Sequence, residues 1–162
     1  MQGTVRQARA GDVAAIAVIW NRIIAQTTAT FTTEPKDLSG WLDAKAAAGE
    51  PVFALVDASD CCIGFATYGL FRGGTGYAHV VEHTVMLAQV AQGSGGGRAL
   101  IAALSGHAVA AGKGALIGGI SGENTAAIRF HLALGFREVG RVPNAGRKFG
   151  RDLDLVLMHR AL

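Results

Sequence analysis

At 162 residues, half of them hydrophobic, the chain is long enough for one domain, spanning 1–162, around a single sizeable core. No apolar run approaches the roughly 20 residues a membrane-spanning helix needs, and the opening "MQGTVRQARAGD" is too polar for a signal peptide, so no membrane partner and a cytoplasmic location are expected. The formal net charge of +3 is scattered, with a denser stretch in "RVPNAGRKFGR"; it lacks the basic stripe with interleaved aromatics of a nucleic-acid binder and suits a small anionic ligand at least as well.

In chain order, "TVRQAR" alternates as a first strand. Asp12 is placed to cap the helix "VAAIAVIWNRIIAQ", in which Ile16, Trp20, Ile23 and Ile24 share a face. A loop, "TTATFTTEPKD", leads to a short helix around "LSGWLDAKAAAG". "PVFALVD" and "CIGFATYGLF" read as a hairpin about the turn "DASD". The glycine-rich "RGGTGYA" then connects to the strand "HVVEHTVMLA". After "QGSGGGR" comes the helix "ALIAALSGHAVAAG", then the apolar strand "GALIGGISG". Asn124 caps "TAAIRFHLAL" and Gly135 stops it, and "REVGRV" and "LDLVLMHRAL" finish as strands. There is no repeat and no linker; the alternation of strands and helices specifies one α/β domain with a mixed sheet. Cys61 and Cys62 are adjacent at the turn, too close for an ordinary disulfide, and are read as free thiols. The methionines and tryptophans read as core, and His107 and His159 carry no assigned role.

The pentapeptide "HVVEH", residues 79–83, has the spacing of one class of zinc protease. Two histidines four apart grip one metal only on a helix, and Val80, Val81, Thr84 and Val85 favour an extended chain. On a strand His79 and His83 stand about 13 Å apart, with Glu82 on the opposite face. No metal is expected, and a zinc hydrolase is the weakest reading. Glu82 instead stands as a carboxylate within an apolar strand. Burial raises such a group's pKa and prepares it to accept a proton, the alternative being an ion pair with an arginine such as Arg72.

"QGSGGGR" follows a strand and opens a helix, where free amides and the helix dipole favour phosphate. It lacks the G-K-[ST] of a Walker loop, and the third glycine of a dinucleotide fingerprint would fall on Arg98 or Leu100. It does fit Q-x-x-G-x-G, with Gln92, Gly95 and Gly97. "NTAAIRFHLALGF" fits N-x-x-A-x-x-x-Y-x-x-x-G-F at Asn124, Ala127, Gly135 and Phe136, with His131 in place of tyrosine. On these two motifs the chain resembles the GNAT acetyltransferase superfamily. Within it, "TATFTTEP", "EHTVML", "GISGEN", "FHLALGF" and "GRKFGRDLDLVLM" resemble the phosphinothricin and methionine sulfoximine (sulfone) N-acetyltransferases. The chain departs from that pattern at Asp152, where tryptophan is usual, and in "TVML" and "RGGTGYAHVV".

The resemblance implies a GNAT-like fold: a central mixed, mostly antiparallel sheet flanked by helices on both faces. It also implies an acetyl-CoA-dependent N-acetyltransferase, without metal, acting on the amine of a small amino-acid-like substrate in a ternary complex. Glu82 would be the general base. Val85, Met86 and Leu87, freed where the fourth strand splays from the fifth, would bind the acetyl and pantetheine portions. Gln92, Gly93, Ser94, Gly95, Gly96, Gly97 and Arg98 would hold the pyrophosphate, and Asn124 the pantetheine arm. His131 falls where relatives place a general acid, or packs beneath the cofactor. Arg72 would clamp the acceptor carboxylate, in a pocket drawn from Phe31, Gly73, Gly74, Tyr77, Glu82, His83 and Thr84. Relatives imply a homodimer. The competing readings are a peptide or protein amine acetyltransferase and a non-catalytic CoA-binding regulatory module.

Overall fold

In the computed structural model, which describes residues 3–162, the strands are β1 (Thr4–Gln7), β2 (Val52–Val56), β3 (Cys62–Leu70), β4 (Val80–Leu87), β5 (Ala115–Ser121), β6 (Arg137–Lys148) and β7 (Arg151–Ala161). The helices are α1 (Val13–Gln26), α2 (Trp41–Ala47), α3 (Gly96–Ala110) and α4 (Thr125–Ala133). The strands form one seven-stranded sheet in the order β1-β2-β3-β4-β5-β7-β6. Neighbours are antiparallel except β4 and β5.

Side chains alternate across the sheet, so each face acquires its own core. One face packs Leu100, Ile101 and Leu104 of α3 and Ile128 of α4 on Tyr68, Val81, Leu116 and Met158. The other packs Ile16, Ile19, Trp20 and Ile24 of α1 on Val52 and Phe65. There Trp41 of α2 stands edge-on to Trp20, ring centroids 5.7 Å apart. Of the stripe expected on α1, Ile23 is only partly buried and Ile19 takes its share. The mixed sheet with helices on both faces agrees with the fold read from the sequence.

Asp12 does stand at the start of α1, but its carboxylate does not cap that helix. It accepts from Arg6 Nη1 at 2.7 Å, Arg6 Nη2 at 3.0 Å and the Arg9 amide at 2.7 Å, tying β1 to the turn before α1. The Arg6 hydrogen bond holds the Asp12 carboxyl below the usual carboxylate range, against the opposing pull of burial. A depressed folded-state pKa gives stability that is present above the unfolded value near ~3.9 and lost as pH falls through the folded one. Asp12→Asn is therefore expected to lower Tm by roughly 3–6 °C at pH 7, with the gap to wild type closing as melts are taken into acid. A gap that persists in acid would assign the loss to packing.

The C-terminal hairpin is longer than its sequence announces. β6 runs 12 residues and β7 runs 11, absorbing most of "RVPNAGRKFGRD" into paired strand. β6 lies at the sheet edge, where Pro143 is tolerated at a register shift between Val142 and Gly146 and Asn144 takes φ 52°. Phe149 and Gly150 make the turn, both with positive φ. The basic run is not a free patch. Arg147 pairs with Asp152, Arg151 with Glu123 and Arg141 with Asp154, while Lys148 Nζ donates to the Thr30 carbonyl at 2.8 Å.

Candidate active site

Strands β4 and β5 pair over only Val80–Ala115, Val81–Leu116 and Glu82–Ile117. Beyond that point β4 stays with β3 as far as Leu87 opposite Gly64, and β5 stays with β7 as far as Ser121 opposite Leu155. The two strands therefore fork, and His83–Leu87 have a ladder on one side only. Val85, Met86 and Leu87 lie on this one-sided stretch and are partly exposed.

Two consecutive glycines face the fork from β5. Glycine inside a strand marks a close approach, and here each admits a different neighbour. A Cβ on Gly119 would stand 2.8 Å from Glu82 Oε1, and one on Gly118 would stand 2.8 Å from His83 Cε1 and 3.5 Å from His131 Nε2. Successive residues point to opposite faces, so Glu82 is presented on the α1 side and the histidines on the α3–α4 side. Both Glu82 and Gly119 reach solvent. The surrounding protein still desolvates the Glu82 carboxyl enough to raise its pKa above the ordinary range. A solvent-accessible carboxylate with an elevated pKa is suited to taking a proton from an incoming ammonium.

His79 is exposed just ahead of β4, whereas His83 is buried. Among the described residues no cluster of three His, Cys, Asp or Glu side chains can share a metal. The His83 side chain does not open onto a pocket: Nδ1 lies 2.8 Å from the Ile117 carbonyl oxygen and Nε2 lies 2.9 Å from His131 Nε2. The other ring nitrogen of His131 lies 2.7 Å from the Ala127 carbonyl oxygen. Both ring nitrogens of His131 are thus engaged within the protein, Nε2 by His83 and Nδ1 by the Ala127 carbonyl.

The glycine loop ends at the first turn of α3, and its glycines serve two purposes. Gly93 and Gly95 hold positive φ, 72° and 84°, with open space where a Cβ would project. Gly96 and Gly97 let α3 approach closely: a Cβ would come within 2.3 Å of Leu55 and 3.1 Å of Phe130. The Ser94 hydroxyl donates to Ala91 O at 2.7 Å and accepts from Gly96 N. Helix geometry leaves the Gly97 and Arg98 amides without intrahelical acceptors. Gln92 and Arg98 are exposed beside them. Asn124 Oδ1 caps α4 by accepting from Ala127 N at 3.1 Å, so its amide NH2 is the part available to a ligand.

Arg72 lies in the exposed loop after β3, its guanidinium 5.4 Å from the centre of the Tyr77 ring rather than on a carboxylate. Gly73 and Gly74 are exposed in the same loop, and Thr84 stands on β4 two residues past Glu82. Phe31 comes from the loop after α1 and packs on Gly146 of β6, where a Cβ would come within 2.1 Å of its ring. The Lys148–Thr30 bond beside it pins that loop to the hairpin. Sequence reasoning missed Gly118, Gly119 and Lys148. The glycine pair inside an apolar strand was the one signal available.

Residues 5–157 match the acetyltransferase (GNAT) domain family. The chain is 37% identical to the L-methionine sulfoximine/L-methionine sulfone acetyltransferase of Pseudomonas paraeruginosa, covering 98% of this chain and 94% of that one. A Salmonella typhimurium protein solved with its cofactor acetyl-CoA superposes with a TM-score of 0.94 at 34% identity, covering 100% of this chain and 95% of that one. A phosphinothricin acetyltransferase from Sinorhizobium meliloti, solved in complex with acetyl-CoA, gives a TM-score of 0.95 at 32% identity, covering 100% of this chain and 89% of that one. With the forked sheet, the glycine loop and the family match in agreement, the chain belongs to the GNAT acetyltransferases and is an N-acetyltransferase.

Proposed function

We propose that the protein transfers an acetyl group from acetyl-CoA to the amine of a small amino acid of the methionine sulfoximine, methionine sulfone or phosphinothricin type, by direct attack in a ternary complex. The observation that carries this reading is the Glu82 carboxylate at the point where β4 and β5 part, with Gly119 leaving room for it. The names of the relatives supply the substrate class.

Acetyl-CoA fits the residues present and supplies the acetyl group as a thioester. The one-sided stretch at Val85, Met86 and Leu87 would take its acyl and pantetheine end, with backbone amides to donate to a developing oxyanion. Gln92 to Arg98 would take the pyrophosphate on free amides and a helix start, and Asn124 would donate through its amide NH2. Glu82 removes the proton that keeps the incoming ammonium from attacking, directly or through a water. Phe31, Gly73, Gly74, Tyr77 and Thr84 border the acceptor side. In the same reading the enzyme works in the cytoplasm as a homodimer. The exposed edge strand β6, with Val139 and Val142 open to solvent, is a surface such pairing could use.

A thiol-release assay with acetyl-CoA over a panel containing phosphinothricin, methionine sulfoximine, methionine sulfone, ordinary amino acids and a peptide tests the proposal. Turnover of the first group above the rest is expected, and preference for the peptide would transfer the reading to peptide amines. Arg72 supplies a second check. A carboxylate clamp acts on bound substrate and transition state alike, so Arg72→Ala should raise KM for the amino acids with little change in kcat. An amine lacking a carboxylate should hardly notice the change. Equal losses for both kinds of amine would make Arg72 structural.

A further inference from the structure

His83 and His131 lie 48 positions apart in sequence and make three short contacts: Nδ1 of His83 to Ile117 O at 2.8 Å, Nδ1 of His131 to Ala127 O at 2.7 Å, and Nε2 to Nε2 at 2.9 Å. A carbonyl oxygen only accepts, so each Nδ1 must carry a proton. A neutral imidazole has one proton, and both are then spent at Nδ1. The two Nε2 atoms would face each other as bare lone pairs unless a further proton lies between them. Three contacts need three protons, and two neutral rings hold two.

We infer that His83 and His131 form a dyad sharing one additional proton between their Nε2 atoms, a buried single positive charge at the base of the β4–β5 fork. Burial opposes this, pushing the His83 pKa down to about 3 with the charge of His131 adding to the shift, and pushing His131 down as well. The surroundings offset it. Both outer N–H groups end on carbonyl oxygens, and His131 sits in the last turn of α4, where the helix dipole favours a cation. The Phe136 ring packs against both imidazoles, 5.4 Å from the His83 ring and 5.0 Å from that of His131, and keeps water from the pair. Removing the proton leaves one contact of 2.7–2.9 Å with lone pair against lone pair.

The other titratable and charged groups near the dyad are few. Tyr68 stands beside His83 on β3, with its hydroxyl on His107 of α3. Arg160 of β7 lies over the far ring, Phe136. Glu82 belongs to the opposite face of the sheet. The hydrogen bonds of both imidazoles go to carbonyls and to each other.

His83 and Gly118 are the first residues past the last paired rung, Glu82–Ile117, so the dyad sits where the strands part. Its function rests on the reading that acetyl-CoA occupies this fork. There a fixed cation favours negative charge on the departing sulfur electrostatically, with no proton leaving the dyad. His83 is then a positioning residue: it holds the proton that makes His131 a cation.

The test begins on the unliganded wild-type protein. Long-range proton–nitrogen correlation spectra of the 15N-labelled imidazoles at pH 7 are expected to show both Nδ1 atoms protonated and one hydrogen-bonded proton between the Nε2 atoms. A pair with two protons and one bare Nδ1 overturns the dyad. His83→Gln, verified as folded by circular dichroism, should leave His131 as a neutral imidazole and lower kcat by roughly 10²-fold, with the Kd for acetyl-CoA unchanged. Wild-type kcat in that folded variant overturns the role at sulfur. Failure of the wild type to bind acetyl-CoA at all would instead remove the site reading, and the proton count, taken without cofactor, is decided separately.

Discussion

Glu82→Gln is expected to lower kcat/KM by ~10²–10⁴-fold near neutral pH, the usual worth of a positioned general base. The amide keeps the shape of the side chain over Gly119 and loses only the ability to take a proton. Acetyl-CoA affinity should hardly move, because backbone amides and the glycine loop would hold the cofactor. The deficit should narrow as pH rises towards the pKa of the acceptor amine, where solution supplies free base. Since burial raises the carboxyl's pKa, the acid limb of the wild-type profile should lie above that of an ordinary glutamate. A variant that binds acetyl-CoA and turns over at the wild-type rate at pH 7 would remove Glu82 from the chemistry. Loss of thermal stability together with cofactor binding would make it a structural residue.

The second large effect is expected at Gly95. Its φ of 84° places the position where side chains are strained, and the space ahead of it is open. A saturating ligand at about 100 times its Kd stabilises the native state by ~2.7 kcal/mol, which for a chain of this size raises Tm by roughly 5–10 °C. Acetyl-CoA should give wild type that protection, and Gly95→Glu should abolish it by placing a carboxylate where phosphates are expected. Gly95→Ala separates strain from blockage: it should melt earlier than wild type yet retain most of the shift. Protection by ATP or NAD but not by acetyl-CoA would end the proposed site.

What the sequence disclosed and what it withheld divide along a physical line. Helix α1 was legible because its apolar spacing and its start lie within one segment. The pairing β2–β3 was legible from the turn between the strands. Glu82 could be singled out because a carboxylate inside an apolar strand needs a reason. The length of β6 was hidden because Pro143, Asn144 and Gly146 have the composition of a loop, and only the sheet edge and its register shift make them strand. Its turn was hidden because Phe149 occupies a positive φ where asparagine or glycine is the usual sign. Asp12 has the right residue type for a cap, yet Arg6 competes for its carboxylate and wins. The meeting of His83 with His131 depends on α4 packing across β5, and no local pattern encodes that contact.

The strap between Lys148 and Thr30 joins residues 118 positions apart, and Phe31 rests on Gly146 across almost the same span. Contacts this distant close only after the intervening chain is ordered, because each carries the entropy of a very long loop. The Phe31 loop can reach its final place only once the last hairpin has been made and docked. During synthesis β1 to β5 and the glycine loop emerge before that hairpin does, but β5 has only its three rungs to β4 until β7 pairs with it. The same hairpin thus completes both the fork and the pocket proposed to choose the amine, so an unfinished chain would hold neither in final form.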